Sequence, residues 1–140
     1  MRRLAAAAAL LLALTTPLMA QNQAAPIHSF LFGEWVGGIF PPPVTLGAQE
    51  CMSQPMVIFT RDSVMRASMT SAAYEQRSID SVRATATGFE IRFFPNQNPG
   101  LAGFGCPNPD VLTVQRQGDN QIVFPNCSAF PFPLIRCGTH

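Results

Sequence analysis

The sequence predicts an all-β domain, a small antiparallel β-barrel of about eight strands with two disulfides, with a β-sandwich as the alternative. Three observations lead to this class. Short segments rich in β-branched and aromatic residues recur between clusters of proline, glycine and asparagine. No segment keeps a strong helical period. Four cysteines follow an N-terminal segment that has the features of an export signal.

That N-terminal segment has the three parts of a cleavable secretory signal. Arg2 and Arg3 supply the positive charge, residues 4–14 form an unbroken apolar run, and Ala20 offers a small residue for cleavage. The run is too short to cross a bilayer as a helix. We therefore predict a cleaved signal over residues 1–20, a periplasmic or secreted location, and no membrane span after cleavage.

Cleavage would leave 120 residues (140 − 20), which suits one domain. We predict a flexible leader over residues 21–26 and a single β domain over 27–140. All nine basic residues are arginines, and removing two of them leaves seven against eight acids, a net charge of −1. A near-neutral domain lacks the electrostatic surface that nucleic acids or anionic lipids require, so nucleic acid is not an expected partner.

The first half of the domain gives one turn and three strands. Residues 27–32 are apolar and fit a short turn or 3₁₀ segment, and residues 34–40 fit a strand that three prolines end. The clearest hairpin comes next. Its strands are residues 55–60 and 64–69, joined through Arg61-Asp62-Ser63.

The second half predicts five more strands. Residues 74–86 tolerate a helix, yet their apolar positions keep no 3.6-residue period, so we interpret them as a strand. The remaining strands are expected at residues 89–94, 111–117, 121–124 and 134–137. Residues 95–110 should form a long irregular loop pinned at Cys106, and residues 125–133 a proline-rich corner.

The four cysteines predict structural disulfides. The spacings between the cysteines do not fit a zinc motif. Two disulfides among four cysteines can be connected in three ways. Pro131-Phe132-Pro133 favours a chain reversal between Cys127 and Cys137. If that reversal is a hairpin, Cys127 pairs with Cys137 and Cys51 with Cys106.

The triplet Gly33-Glu34-Trp35 opens the first strand after an apolar turn. It resembles the G-x-W start of lipocalins and related small β-barrels, in which the tryptophan closes one end of the barrel. That resemblance implies an arginine from the end of the chain packed over the tryptophan, and Arg136 is the candidate. The alternative is that Trp35 is a core aromatic residue with no further role.

The same triplet also resembles the periplasmic inhibitors of bacterial metalloproteases, which are small exported barrels with a cysteine in the next strand region, as Cys51 is here. Their inhibitory N-terminal segment would correspond loosely to the leader from Gln21. The resemblance implies a protein partner, whereas the lipocalin resemblance implies a small apolar ligand.

Phenylalanines in the irregular loops are the other candidate binding residues. Phe104, Phe130 and Phe132 lie in proline-, glycine- and asparagine-rich segments, where they would form a recognition patch or the mouth of a cavity. The alternative is an apolar cluster folded under the long loop. The candidate ligand-binding set is Trp35, Phe104, Phe130, Phe132 and Arg136.

Catalytic and metal chemistry find little support in the sequence. Two histidines, His28 and His140, do not make a three-ligand zinc site, and no G-x-S-x-G elbow is present. We therefore predict no enzymatic activity, no metal and no cofactor. The expected function is binding of a small apolar ligand by an envelope protein; the alternative is a protein-binding module such as an inhibitor of a protease or wall hydrolase.

Overall fold

The computed structural model describes residues 24–44, 47–53, 56–67, 73–96 and 103–138. The predicted signal peptide and the first half of the predicted leader (residues 21–23) lie outside these residues. The described chain is a closed barrel of eight antiparallel strands. Each strand pairs with the next in sequence, and β8 pairs with β1. Closure confirms the predicted fold class, and it decides for the barrel against the sandwich.

All eight strands occur where the sequence predicts them, with ends that differ by a few residues. They are β1 (Gly33–Gly37), β2 (Met56–Phe59), β3 (Ser63–Ala67), β4 (Tyr74–Ala84), β5 (Gly88–Phe93), β6 (Val111–Arg116), β7 (Gln121–Val123) and β8 (Leu134–Arg136).

The ambiguous segment is a strand, the 11-residue β4. Its first half pairs with β3 and its second half with β5, with a register shift between Ile79 and Ser81. A β-bulge bends a strand and increases its twist, so one long strand can serve two neighbours of a small barrel.

The structure adds a short helix, α1 (Ala48–Ser53), that the sequence did not predict. This helix lies in the connection from β1 to β2. Cys51 packs there with Val36 and Ile58, which alternate along β1 and β2 with the inward-facing Trp35 and Val57. The helix therefore covers apolar residues on the outer wall of the barrel.

The one buried residue of β4 is Arg77, and apolar side chains from the other strands fill most of the barrel interior. Ring contacts cross it: Phe59 and Phe124 have centroids 6.3 Å apart, and Phe104 and Phe124 are 5.6 Å apart. The buried cluster consists of Leu31, Trp35, Val57, Phe59, Val64, Ile91, Phe93, Phe104, Leu112, Val114, Ile122, Phe124, Cys127, Phe130 and Leu134.

The two ends of the barrel differ. At one end, which we call the turn end, lie the tight β2–β3, β4–β5 and β6–β7 connections and a 3₁₀ turn (Ser29–Leu31) that precedes β1. At the other, the loop end, lie the long β1–β2, β3–β4, β5–β6 and β7–β8 connections.

The disulfides join Cys51 to Cys137 and Cys106 to Cys127. The favoured pairing of Cys127 with Cys137 was therefore wrong. Cys127 lies in the β7–β8 connection at the loop end, and β8 then carries the chain to Cys137, whose N–H bonds the carbonyl of Glu34. The chain reversal predicted at Pro131-Phe132-Pro133 lies at one end of β8, and Cys137 lies beyond the other.

Candidate functional site

At the turn end, Trp35 is fully buried and anchored to the turn before it. Its indole Nε1–H donates to the carbonyl of Leu31 at 2.8 Å. The 3₁₀ turn places that carbonyl over the barrel because Leu31 inserts its own side chain into the core. Trp35 thus packs beneath the turn that covers this end of the barrel.

Arg136 packs over Trp35. Its guanidinium carbon lies 4.3 Å from the indole centroid and 5.0 Å from the ring centroid of Phe30. The same guanidinium donates to the carbonyls of Phe32, at 2.9 Å, and of Phe30. One arginine thereby bonds two carbonyls of the turn that enters β1 and stacks on two rings.

A second arginine completes this cluster. The guanidinium of Arg116 lies 4.0 Å from the Phe30 centroid and is itself held by the carbonyl of Gly118 and the carboxylate of Asp119. Burial lowers the pKa of Arg136 from its ordinary value, and the charge of Arg116 adds to that shift. The guanidinium hydrogen bonds described for Arg116 and Arg136 all go to oxygen atoms of the protein itself, which indicates a structural role for this cluster.

The loop end carries a different arrangement, in which Phe104 and Phe130 fill the mouth of the barrel. Both are buried, and their ring centroids lie 5.3 Å apart. Phe104 also stacks on Phe93 at 6.2 Å, and the guanidinium of Arg66 lies 5.9 Å from both rings of the pair. The two phenylalanines therefore form an inward cluster, the second of the two arrangements that the sequence left open.

The Cys106–Cys127 disulfide holds this plug in place. It joins the β5–β6 loop, which carries Phe104, to the β7–β8 connection, which carries Phe130. Gly38 provides the space for the ring of Phe130. A Cβ atom at Gly38 would lie 2.4 Å from that ring, and its φ of +78° is itself unfavourable for a side chain.

Exposed apolar side chains collect around the plug. Five of the seven large apolar residues that are exposed in the described chain lie in or beside loop-end connections: Phe40, Val44, Tyr74, Phe94 and Phe132. Met52 lies instead on α1, which Cys51 ties to Cys137 along the outer wall. Three of the five, Phe40, Val44 and Phe132, belong to the β1–β2 and β7–β8 connections, which are neighbours because β1 pairs with β8. We call these three residues the loop-end patch.

Phe132 is the member of the predicted binding set that belongs to this patch, at 38% exposure. Its backbone N–H donates to the carbonyl of Gly38, and the N–H of Gly38 donates to the carbonyl of Pro133. The segments that carry Phe40 and Phe132 are therefore directly bonded. Of the other predicted residues, Trp35 and Arg136 lie together at the turn end, and Phe104 and Phe130 are buried in the plug.

Sequence reasoning missed Phe40 and Val44, although a signal for this end of the barrel was present. Five of the eleven phenylalanines are followed directly by proline, and all five stand in loop-end connections: Phe40, Phe94, Phe124, Phe130 and Phe132. Proline cannot donate to a ladder and fixes its own φ, so each of these dipeptides ends a strand or stiffens a connection.

Charged residues are few in the loop-end connections. Residues 38–44, 94–96, 103–109 and 124–133 contain no aspartate, glutamate, lysine or arginine, whereas Glu50 lies on α1 and Asp110 lies in the β5–β6 connection. Asp110 pairs with the buried Arg77 at 2.6 Å, and Arg66, which lies beside the plug, pairs with Glu75 at 3.1 Å.

The polar side chains of the described residues do not converge on a reactive centre. Four acids form ion pairs with arginines: Glu75, Glu90, Asp110 and Asp119. Among the described residues, histidine, cysteine and acidic side chains form no cluster of three that could hold a metal ion. The buried His28 directs its Nε2 at the carbonyls of Thr60 and Arg61, within the protein.

Comparison with known proteins returned no match, whether to a protein-family model, to a curated protein or to a solved structure. Within the described residues, no helix has the length and apolar character needed to cross a membrane.

Proposed function

We propose that the protein is a non-enzymatic, protein-binding module that acts outside the cytoplasm and contacts its partner through the loop-end patch. One observation carries the proposal: most exposed apolar residues of the described chain lie in or beside the connections at the plugged loop end. Exposed apolar patches on a small protein commonly mark an interaction site. Phenylalanine is also enriched in protein interfaces.

The filled interior favours a protein partner over a small apolar ligand. A ligand-binding barrel needs an interior wider than its own side chains can fill. Here Phe59, Phe124 and Phe104 are in ring contact across the barrel, and Phe130 continues the contact into the mouth. The small-ligand hypothesis would require these rings to separate.

The binding role is also preferred to an enzymatic one. General acid–base catalysis uses carboxylates with perturbed protonation in a cleft, and four acids of this chain are instead held by arginines.

An extracytoplasmic location agrees with the two disulfides, because disulfides form and persist in oxidising compartments. The signal at residues 1–20 supports export to the periplasm or beyond. An envelope or secreted protein, such as a protease or a wall hydrolase, is therefore the class of partner that we propose.

The test is co-purification from the producing cells with three forms of the tagged protein. These are the wild type, the double variant Phe40→Ser/Phe132→Ser, and Phe94→Ser as the matched control. Phe94 is also followed by proline and is 55% exposed, but it directly follows β5, across the barrel from the patch. We expect one stoichiometric partner with the wild type and the control, and its loss with the double variant. Equal recovery with all three forms would contradict the proposal.

A further inference from the structure

The second half of β4 has a free edge, although the barrel as a whole is closed. β3 pairs with β4 only as far as Ser78, and the last bond on that side joins the N–H of Ile79 to the carbonyl of Asp62. Beyond the register shift, residues 81–84 pair with β5 alone. Within the described chain no strand lies on the other side of residues 80–84, which we call the β4 edge.

Backbone groups on this edge are free to bond another strand. The N–H of Thr85 donates to the carbonyl of Gly88, at the start of β5, and successive residues of a strand direct their backbone groups to opposite sides. The N–H and C=O groups of Val82 and Ala84 therefore point away from β5, where no described residue bonds them. An unpaired edge of this kind is a template for the addition of a strand.

The charges along the β4 edge are acidic at one end and basic near the other. Asp80 accepts a hydrogen bond from the Ser81 hydroxyl at 3.4 Å, so these two side chains lie on the same face, and it forms no ion pair with a described residue. Arg83 is 71% exposed and shares Glu90 with Arg92. Two arginines against one glutamate leave a net charge of +1 at that end of the edge.

No other charge close to the edge changes this order. The β2–β3 turn, which bonds Ile79, contributes Arg61 and Asp62, one charge of each sign. An edge that runs from acidic to basic is complementary to a copy of itself that runs in the opposite direction. A second copy of this chain therefore fits the edge both by its backbone bonds and by its charge.

We infer that two copies of this chain form a dimer by antiparallel pairing of their β4 edges, centred on Val82. In that register the two Val82 residues exchange both backbone bonds, and Ser81 lies opposite Arg83 of the other copy. Asp80, on the same face as Ser81, then comes within reach of that guanidinium, and twofold symmetry forms the contact twice. Parallel pairing in register would instead bring like charges together.

Such a dimer leaves both loop-end patches exposed. β4 runs from the loop end at Tyr74 to the turn end at Ala84, and only its turn-end half is shared. Two antiparallel strands that overlap there hold the barrels on opposite sides of the joint, with their loop ends facing away from each other. The dimer thus goes beyond the proposed function, because one assembly would present two binding surfaces.

Sedimentation velocity of the purified, disulfide-bonded protein measures the association. Because each copy contributes only a short segment, we expect a weak dimer, with a Kd of about 100 µM, that is populated between about 5 µM and 1 mM protein. Hydrogen exchange over the same concentrations locates the contact. The amides of Val82 and Ala84 should exchange about threefold to fivefold more slowly at the highest concentration, as expected for a dimer that is not fully populated.

Two charge reversals separate pairing from folding. Asp80→Arg alone gives each edge two positive charges and Arg83→Asp alone two negative charges, so each variant should dimerise about tenfold more weakly than the wild type. An equimolar mixture restores both contacts between opposite charges. It should form a mixed dimer with a Kd within about threefold of the wild-type value, followed through a fluorescent label on one variant.

Ala84 provides the test of the backbone bonds. Its side chain is exposed, and its N–H points away from β5, where an edge strand tolerates proline. Ala84→Pro removes one donor from each edge and should weaken the dimer about tenfold. Ala84→Ser, the matched control, keeps the donor and should change the Kd by less than about twofold. Phe40→Ser/Phe132→Ser, at the far end of the barrel, should also leave it unchanged.

Three results would overturn the dimer and leave the proposed function standing. They are a chain that stays monomeric at about 1 mM, a mixture of the charge variants that binds no tighter than either alone, and slow exchange of Val82 and Ala84 that does not depend on concentration. The last would mean that the chain covers its own edge. A dimer that Phe40→Ser/Phe132→Ser abolishes and Ala84→Pro leaves intact would also overturn it, and would make the second copy the occupant of the loop-end patch.

Discussion

At the scale of single residues, Arg136 is central to the packing of the turn end. It stacks on Trp35 and Phe30 and donates to the carbonyls of two residues of the preceding turn. Those carbonyls precede β1, whereas Arg136 closes β8. One side chain therefore ties the first strand of the barrel to the last.

Replacing Arg136 should consequently lower the free energy of unfolding. We expect a loss of about 2–4 kcal/mol for Arg136→Ala, from the stacked cation and two charge-assisted hydrogen bonds. Arg136→Lys keeps the charge but lacks the planar fork, so it should recover less than half of the loss. Urea unfolding measures both variants. A loss below about 0.5 kcal/mol for the alanine variant would contradict this role.

Two glycines with positive φ give a matched test of the plug. Gly38 has a φ of +78° and lies against Phe130, whereas Gly118 has a φ of +104° with open space around it. Gly118→Ala should cost about 1 kcal/mol, from backbone strain alone. Gly38→Ala should cost about 2–4 kcal/mol, since it must also displace a buried ring. Equal losses in thermal unfolding would show that Phe130 is not held against this glycine.

The sequence predicted some of these side-chain contacts and not others. The contact between Trp35 and Arg136 followed from the G-x-W resemblance. The inward orientation of Phe104 and Phe130 did not, because a phenylalanine in a proline-rich loop fits a surface patch and a plug equally well. Only the closure of the barrel determines which side of each loop faces the core.

At the scale of elements, local chemistry predicted the strands and long-range geometry decided the disulfides. Alternating apolar residues and turn residues located all eight strands, including β4, because these are short-range signals. The pairing of the cysteines depends on where strands begin and end in space. Although Cys127 and Cys137 are only ten residues apart, β8 separates them, and α1 brings Cys51 to Cys137 along the outer wall.

Removal of the two disulfides should lower stability by different amounts and loosen different segments of the chain. The chain-entropy relation gives about 3 kcal/mol for the pair separated by 21 residues and about 4.6 kcal/mol for the pair separated by 86. We expect Cys106→Ala/Cys127→Ala to loosen the plug, and Cys51→Ala/Cys137→Ala to release α1 from Val36. Thermal unfolding gives the order of stability, and hydrogen exchange locates the loosened segment. A larger loss for the shorter loop would contradict this order.

At the scale of the whole molecule, the barrel has two chemically distinct ends. The turn end presents arginines and acids that are bonded to each other and to the backbone. The loop end presents exposed phenylalanine and valine beside proline, on segments with few charges. Because the interior is filled, the apolar surface left to bury in the described chain is on the outside, and most of it lies at the loop end. The proposed function depends on that asymmetry.

The composition of the sequence did not reveal this asymmetry. The net charge is near zero, and the charged residues are spread along the whole chain. Consecutive strands of the barrel run in opposite directions, so every second connection lies at the same end. The connections that carry the phenylalanine–proline dipeptides thereby come together, although they are far apart in sequence.

Native mass spectrometry of the protein recovered from the cells that produce it tests the central claim most directly. The account predicts a complex with a second protein, and a released chain with the mass of residues 21–140 less four hydrogens and no small molecule bound. A small apolar molecule that stays with the isolated chain and leaves on gentle heating would contradict it. The rings that fill the barrel would then have to open, and the interior would be the binding site.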